Sequence, residues 1–100
     1  MSQSLESENA GPALRDDAPH LLVVDDDSRL RALLSRYLRE NGYRVTVAVD
    51  AADARRRLEG LAFDCLIVDV MMPGESGMEL TESLREASDV PILMLTAQAE

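Results

Sequence analysis

The chain has 100 residues, a formal net charge of −9 and one cysteine, Cys65. That length suits one small domain, the acidity argues against nucleic-acid binding by this segment alone, and a lone cysteine excludes an internal disulfide or a cysteine metal cage. No apolar run approaches the roughly 20 residues of a membrane-spanning helix, so the chain reads as cytoplasmic with no membrane partner.

Residues 1–18, MSQSLESENAGPALRDDA, are polar with scattered apolar residues. They read as a disordered N-terminal tail, and they lack the basic start and apolar run of a signal peptide. The domain is expected over residues 19–100. HLLVVDDD, residues 20–27, is a short apolar run that ends in three acids and reads as a buried strand. His20, the only histidine, lies at its outer end and reads as a strand-edge residue. From Ser28, the residues Leu30, Leu33, Leu34, Tyr37 and Leu38 recur at helical spacing and predict one apolar helix face. Asp27 or Ser28 can cap its start, and Asn41-Gly42 stops it.

YRVTVAV, residues 43–49, alternates as a second strand. Asp50 caps a second helix with Ala51, Ala54 and Leu58 inward, and Arg55-Arg56-Arg57 reads as its solvated face. FDCLIVD, residues 63–69, is a third strand, in which Cys65 is core filler. Pro73, Gly74 and Gly77 predict a loop. A third helix follows from about Met78 to Glu86, with Leu80 and Leu84 inward, and VPILMLT, residues 90–96, is a fourth strand. The order βαβαβαβ predicts an α/β fold: a doubly wound parallel sheet covered by helices.

In such sheets ligands bind beyond the carboxyl ends of the strands, where the strand order reverses. Asp25, Asp26 and Asp27 close the first strand, Asp69 ends the third and Thr96 ends the fourth. If these strands are neighbours, the acids converge, repel one another and require a hard cation; oxygen ligands suit Mg2+. A metal-neutralised carboxylate beside a hydroxyl is a phosphate-handling site, and a carboxylate nucleophile can form an aspartyl-phosphate. Taken singly, each feature has a plainer reading: a solvated turn, a helix cap, a strand-end hydroxyl.

The pieces LLVVDDD, CLIVDVMMPGESGMEL and VPILMLTA, in this order and spacing, resemble the receiver domain of two-component response regulators from about His20 to Glu100. The phrases VVDDDSRLRALLSRYL and VMMPGESGMEL look especially like the subclass with a winged-helix DNA-binding domain after the receiver. The resemblance implies a flavodoxin-like fold of strand order 2-1-3-4-5. It implies that Asp69 accepts a phosphoryl group from a phosphohistidine on a sensor histidine kinase. Asp26 would bind Mg2+ directly, with Asp25 in support and the backbone carbonyl of Met71 as a further ligand. Thr96 would be the switch hydroxyl, with the backbone N–H of Ala97 beside it, and Asp27 a helix cap. Such a domain is a switch and not an enzyme in the ordinary sense: it promotes only its own phosphorylation and dephosphorylation. DNA would be reached only through a missing effector domain, and phosphorylation-driven homodimers would belong to the full-length protein.

A complete receiver of this kind continues through a further helix, strand and helix, and that strand ends in a lysine. All ten basic residues here are arginine, so the chain reads as a truncated receiver, with ILML left at a sheet edge and low stability expected. Two alternatives stay open. One is a receiver-like interaction module that is never phosphorylated. The other is a haloacid-dehalogenase-type phosphatase with Asp25 as nucleophile, which sets Arg29 where Thr or Val belongs and leaves DVMMPG unexplained. A flavin site is disfavoured, because the acids after the first strand would repel a phosphate.

Overall fold

The computed structural model describes residues 17–96. The expected tail lies largely outside the described residues. Its last member, Ala18, is buried, and its carbonyl accepts a hydrogen bond from Arg44 Nε at 2.9 Å.

Four strands and three helices alternate: β1 (His20–Val24), α1 (Ser28–Glu40), β2 (Arg44–Ala48), α2 (Ala51–Gly60), β3 (Cys65–Asp69), α3 (Gly77–Arg85) and β4 (Ile92–Leu95). All strand pairs are parallel, and the order is β2-β1-β3-β4. This is the doubly wound, flavodoxin-like arrangement expected, with four strands among the described residues.

The unbroken apolar character of β1 and β3 has its cause in two separate cores. Leu22, Val24, Leu66 and Val68 point to one face, where they pack with Ala51 and Ala54 of α2, Met72 of the loop after β3, and Leu80 of α3. Leu21, Val23 and Ile67 point to the other face and meet Leu34 and Leu38 of α1. A central parallel strand is buried on both sides, so apolar residues are needed at consecutive positions. Leu66 is fully buried. Leu66→Ala is expected to lower stability by about 2–5 kcal/mol, the usual cost of a large-to-small change in a packed core; urea unfolding followed by circular dichroism checks it.

The α1 helix sits differently from the sequence expectation. Leu30, Leu34 and Leu38 turn towards the sheet, but Leu33 and Tyr37 are 64% and 60% exposed, and the one buried residue of the helix is Ser35. Contact with the sheet needs only the narrow i, i+4, i+8 row, and Leu33 and Tyr37 stand a quarter-turn away from it. Asp27 is the N-cap, accepting from the N–H groups of Arg29 and Leu30.

The Arg55-Arg56-Arg57 run is also not simply a solvated face. Arg56 and Arg57 both reach the Asp53 carboxylate. Asp53 is buried and also accepts from the Val49 N–H at 3.0 Å. Burial works to raise the Asp53 pKa, but the Val49 hydrogen bond and the two arginines outweigh it and hold the carboxyl below its ordinary value. Arg55 points elsewhere, as described below. Among the described residues, no helix is long and apolar enough to cross a membrane.

Candidate functional site

The strand register decides which acids meet. Val24 pairs with Val68, and Asp69 pairs with Leu95. The next residue after Val24 therefore stands level with Asp69, and Thr96 follows directly beside them. Because β1 and β3 are neighbours although β2 intervenes in sequence, the acids of β1 and β3 share the crevice at the point where the strand order reverses. Asp25, Asp26, Asp69, Met71 and Thr96 all line one pocket of about 490 Å3, together with Asp27, Leu30, Leu34 and Leu95. Five of the six residues expected at the site are thus brought together, and Ala97 lies outside the described residues.

One carboxylate oxygen each from Asp25, Asp26 and Asp69 lie within 4.8 Å of one another. Their environments differ. Asp25 is only 1% exposed; its Oδ1 accepts from the Asp27 N–H at 2.8 Å, and its Oδ2 is buried with no hydrogen-bond partner. Burial pushes the Asp25 carboxyl above its ordinary value; the Asp27 N–H opposes this, and the charges of Asp69, Asp26 and Asp27 add to it. Asp69 is partly exposed at the tip of β3, and its Oδ1 accepts from the Met71 N–H at 3.1 Å. Asp26 is exposed.

This arrangement fits a hard divalent cation. Three carboxylates converge, and one buried carboxylate oxygen lacks any compensating donor, a costly state unless a positive charge offsets it. Asp25, Asp26 and Asp69 are the residues that could hold such an ion, and oxygen-only donors with room for water and a phosphate oxygen are the Mg2+ pattern. The Met71 side chain is 68% exposed at the rim, whereas Met72 is buried in the α2/α3 core.

The loop after Asp69 is held from several sides. The Gly77 N–H donates to the Val70 carbonyl at 3.0 Å. Ser76 and Glu79 form a reciprocal capping box at the start of α3. Gly77 is the first residue of that helix rather than part of the loop, and it packs directly against the backbone of Asp69. Arg55 of α2 grips Glu75 in the loop through two parallel hydrogen bonds, with Arg55 Nη2 to Glu75 Oε2 at 2.8 Å. The Arg55 hydrogen bond holds the Glu75 carboxyl below its ordinary value. The stabilisation from this pair is therefore present above the ordinary glutamate value of 4.5 and is lost as pH falls from there through the lowered folded value.

Sequence reasoning missed three of these features. The capping box had a signal, since S-x-x-E precedes an apolar position at residues 76–79. The Arg55–Glu75 pair and the bond from Arg31 Nη1 to the Asp25 carbonyl, at 2.7 Å, had none.

Comparison with known proteins agrees with this geometry. The chain is 56% identical over 82 residues to protein PetR of Rhodobacter capsulatus, covering 82% of this chain and 35% of PetR. It is 40% identical over 80 residues to the transcriptional activator protein PfeR of Pseudomonas aeruginosa, covering 80% of this chain and 26% of PfeR. It therefore spans about a third or less of these relatives. Among solved structures, the response regulator TrrA of Thermotoga maritima, in complex with Mg2+-BeF, superposes with a TM-score of 0.76 at 35% identity over 81% of this chain and 71% of that one. Residues 21–100 match the family described as the response regulator receiver domain, the same stretch that sets three acids at the switch point of a 2-1-3-4 parallel sheet, and the chain belongs to that family.

Proposed function

We propose that this chain is a phosphorylation-dependent switch in which Asp69 accepts a phosphoryl group from a phosphohistidine of a sensor histidine kinase. The observation that carries the reading is the convergence of Asp25, Asp26 and Asp69, with one buried Asp25 oxygen left without a partner. In the transfer, an Asp69 carboxylate oxygen forms a bond to phosphorus while the donor's phosphorus–nitrogen bond breaks, and the released imidazole takes up a proton.

Asp25, Asp26, Asp69 and the Met71 backbone carbonyl would hold Mg2+, which offsets the charge of the acids and of the incoming phosphate oxygens. The work left to the chain is positioning. The β3 strand fixes the Asp69 backbone, the Met71 N–H orients one Asp69 oxygen, and burial of Asp25 keeps one wall of the site closed to water. Thr96, at the end of β4 in the same pocket, would supply the hydroxyl that approaches the phosphoryl oxygen, with the Ala97 N–H beside it. Movement of Thr96 would bias the domain between two conformations. The output of the switch would be transcription regulation, as the name of PfeR states for that relative.

Intact mass after incubation with Mg2+ and acetyl phosphate tests this. The expected result is one added phosphoryl group on the wild type and none on Asp69→Asn or in EDTA. No addition to a folded wild-type sample would favour an interaction module that works unphosphorylated. Addition to Asp69→Asn but not to Asp25→Asn would place the nucleophile on β1.

A further inference from the structure

The geometry points to Arg55 as a positioning residue for the metal site, acting through Glu75 on the loop that follows Asp69. The inference rests on the metal-binding reading above.

Arg55 lies on α2, twenty residues before its partner, on the same side of the sheet as α3. Its two terminal nitrogens meet the two Glu75 oxygens, and Nη2 also donates to Ser83 Oγ at 3.0 Å. One guanidinium therefore joins three segments: α2, the loop 70–76 and α3. An isolated exposed ion pair would do little. This one is bidentate, has a third partner and is shielded, with side-chain exposures of 39% and 29%, the geometry in which an arginine–carboxylate pair gains both strength and direction.

The place where it grips matters. Loop 70–76 is pinned at its base by the Gly77 N–H to Val70 carbonyl bond and at its far end by the Ser76–Glu79 box. Between these ties, Gly74 has φ of 75°, a backbone state that admits rearrangement once a constraint is lost. Glu75 follows directly. Met71 is exposed and has no core packing of its own to hold it. Its N–H fixes an Asp69 oxygen, and Met71 lines the same pocket as the three acids. With the Arg55–Glu75 grip in place, the loop has one path from Met71 to Gly77. Released, it has several, and the Met71 peptide loses its fixed direction towards the acids. Partners that orient metal ligands in this indirect way change affinity without touching the ion.

The test uses the full 100-residue chain and Mn2+ as probe, with free Mn2+ read by its electron paramagnetic resonance signal. Arg55→Met and Glu75→Gln are each expected to weaken Mn2+ binding by about tenfold, the low end for residues that orient metal ligands. The double variant should be no weaker than either single one, because the two residues act as one unit. Arg55→Lys, which keeps the charge but not the fork, should recover part of the affinity. Thermal unfolding of the same samples in EDTA separates positioning from simple support. If the variants melt earlier but bind Mn2+ as the wild type does, the pair is structural only and the inference falls. If Glu75→Gln alone leaves affinity unchanged, the route through the loop falls. If the wild type binds no Mn2+, the metal reading itself fails, and this inference with it.

Discussion

Asp25→Asn is expected to unfold in EDTA at a higher temperature than the wild type, by roughly 5–10 °C, and to lose much of the rise in midpoint that Mg2+ gives the wild type. The first half follows from the cost of keeping a carboxylate at 1% exposure with one oxygen unpartnered and two further carboxylates within 4.8 Å. Replacing buried ionic groups by uncharged ones of similar volume is often neutral or stabilising, by up to about 1–4 kcal/mol, and here the charge removed is poorly compensated. In a domain of this size each kcal/mol moves the midpoint by about 4–8 °C. The amide oxygen can still accept the Asp27 N–H, and the amide nitrogen gains the neighbouring carboxylates as acceptors. The second half follows from mass action: a cation at about 100 times its dissociation constant stabilises the folded wild type by about 2.7 kcal/mol. Removing a charge from the cluster removes much of that gain. Calorimetric scans with and without Mg2+ read both effects. A lower midpoint for Asp25→Asn in EDTA would mean that the Asp25 charge is already compensated within the protein, and the case for a cation at this cluster would lose its support.

The strands were legible because their burial is simple. LLVV and CLIV are apolar at every position, and each turns out to feed two cores at once. The Asp50 cap was legible from a local rule, and the structure places its Oδ1 2.8 Å from the Asp53 N–H. The meeting of Asp25 with Asp69 was not legible from pattern alone. It depends on β1 lying beside β3, a fact of strand order that hydrophobic periodicity does not encode; the family resemblance supplied it. The exposed side of α1 was misjudged because a helical repeat marks every apolar position on a broad arc, while one helix on a sheet buries only the central row. Arg55 was read as solvated because its partner is twenty residues away and on another element. Within three neighbouring arginines nothing local distinguishes the one that bridges from the two that fold back onto Asp53. The lesson is specific to charges: their burial and pairing follow from tertiary neighbours, whereas apolar burial leaves a period in the chain.

Gly77 is the position where a single methyl group does the most damage to the site, although nothing about it is polar. A Cβ built there would lie 2.1 Å from the Asp69 carbonyl oxygen, 2.9 Å from the Asp69 carbonyl carbon and 3.0 Å from Val68 Cγ1. None of these atoms can swing away: two belong to the backbone of β3 and the third to a fully buried side chain. Gly77→Ala must therefore lift α3 off the sheet or move the Asp69 peptide, the peptide that carries the proposed phosphoacceptor. Overpacking of this kind costs about 1–3 kcal/mol or more, which exceeds the roughly 0.4–1 kcal/mol that Gly→Ala gains by restricting the unfolded chain. Gly60, in the last turn of α2, is the control. Nothing lies within 4 Å of a Cβ there, and its φ is not positive, so Gly60→Ala should be neutral or slightly stabilising. Urea unfolding should separate the two variants by about the overpacking cost alone, roughly 1–3 kcal/mol or more, because the gain from restricting the unfolded chain is common to both. Labelling by acetyl phosphate, measured by intact mass at a urea concentration where both are folded, should be slowed in Gly77→Ala and unchanged in Gly60→Ala. Equal stability and equal labelling rates would mean that α3 can retreat from β3 without disturbing Asp69, and that the close approach of the helix to the strand is incidental to the chemistry.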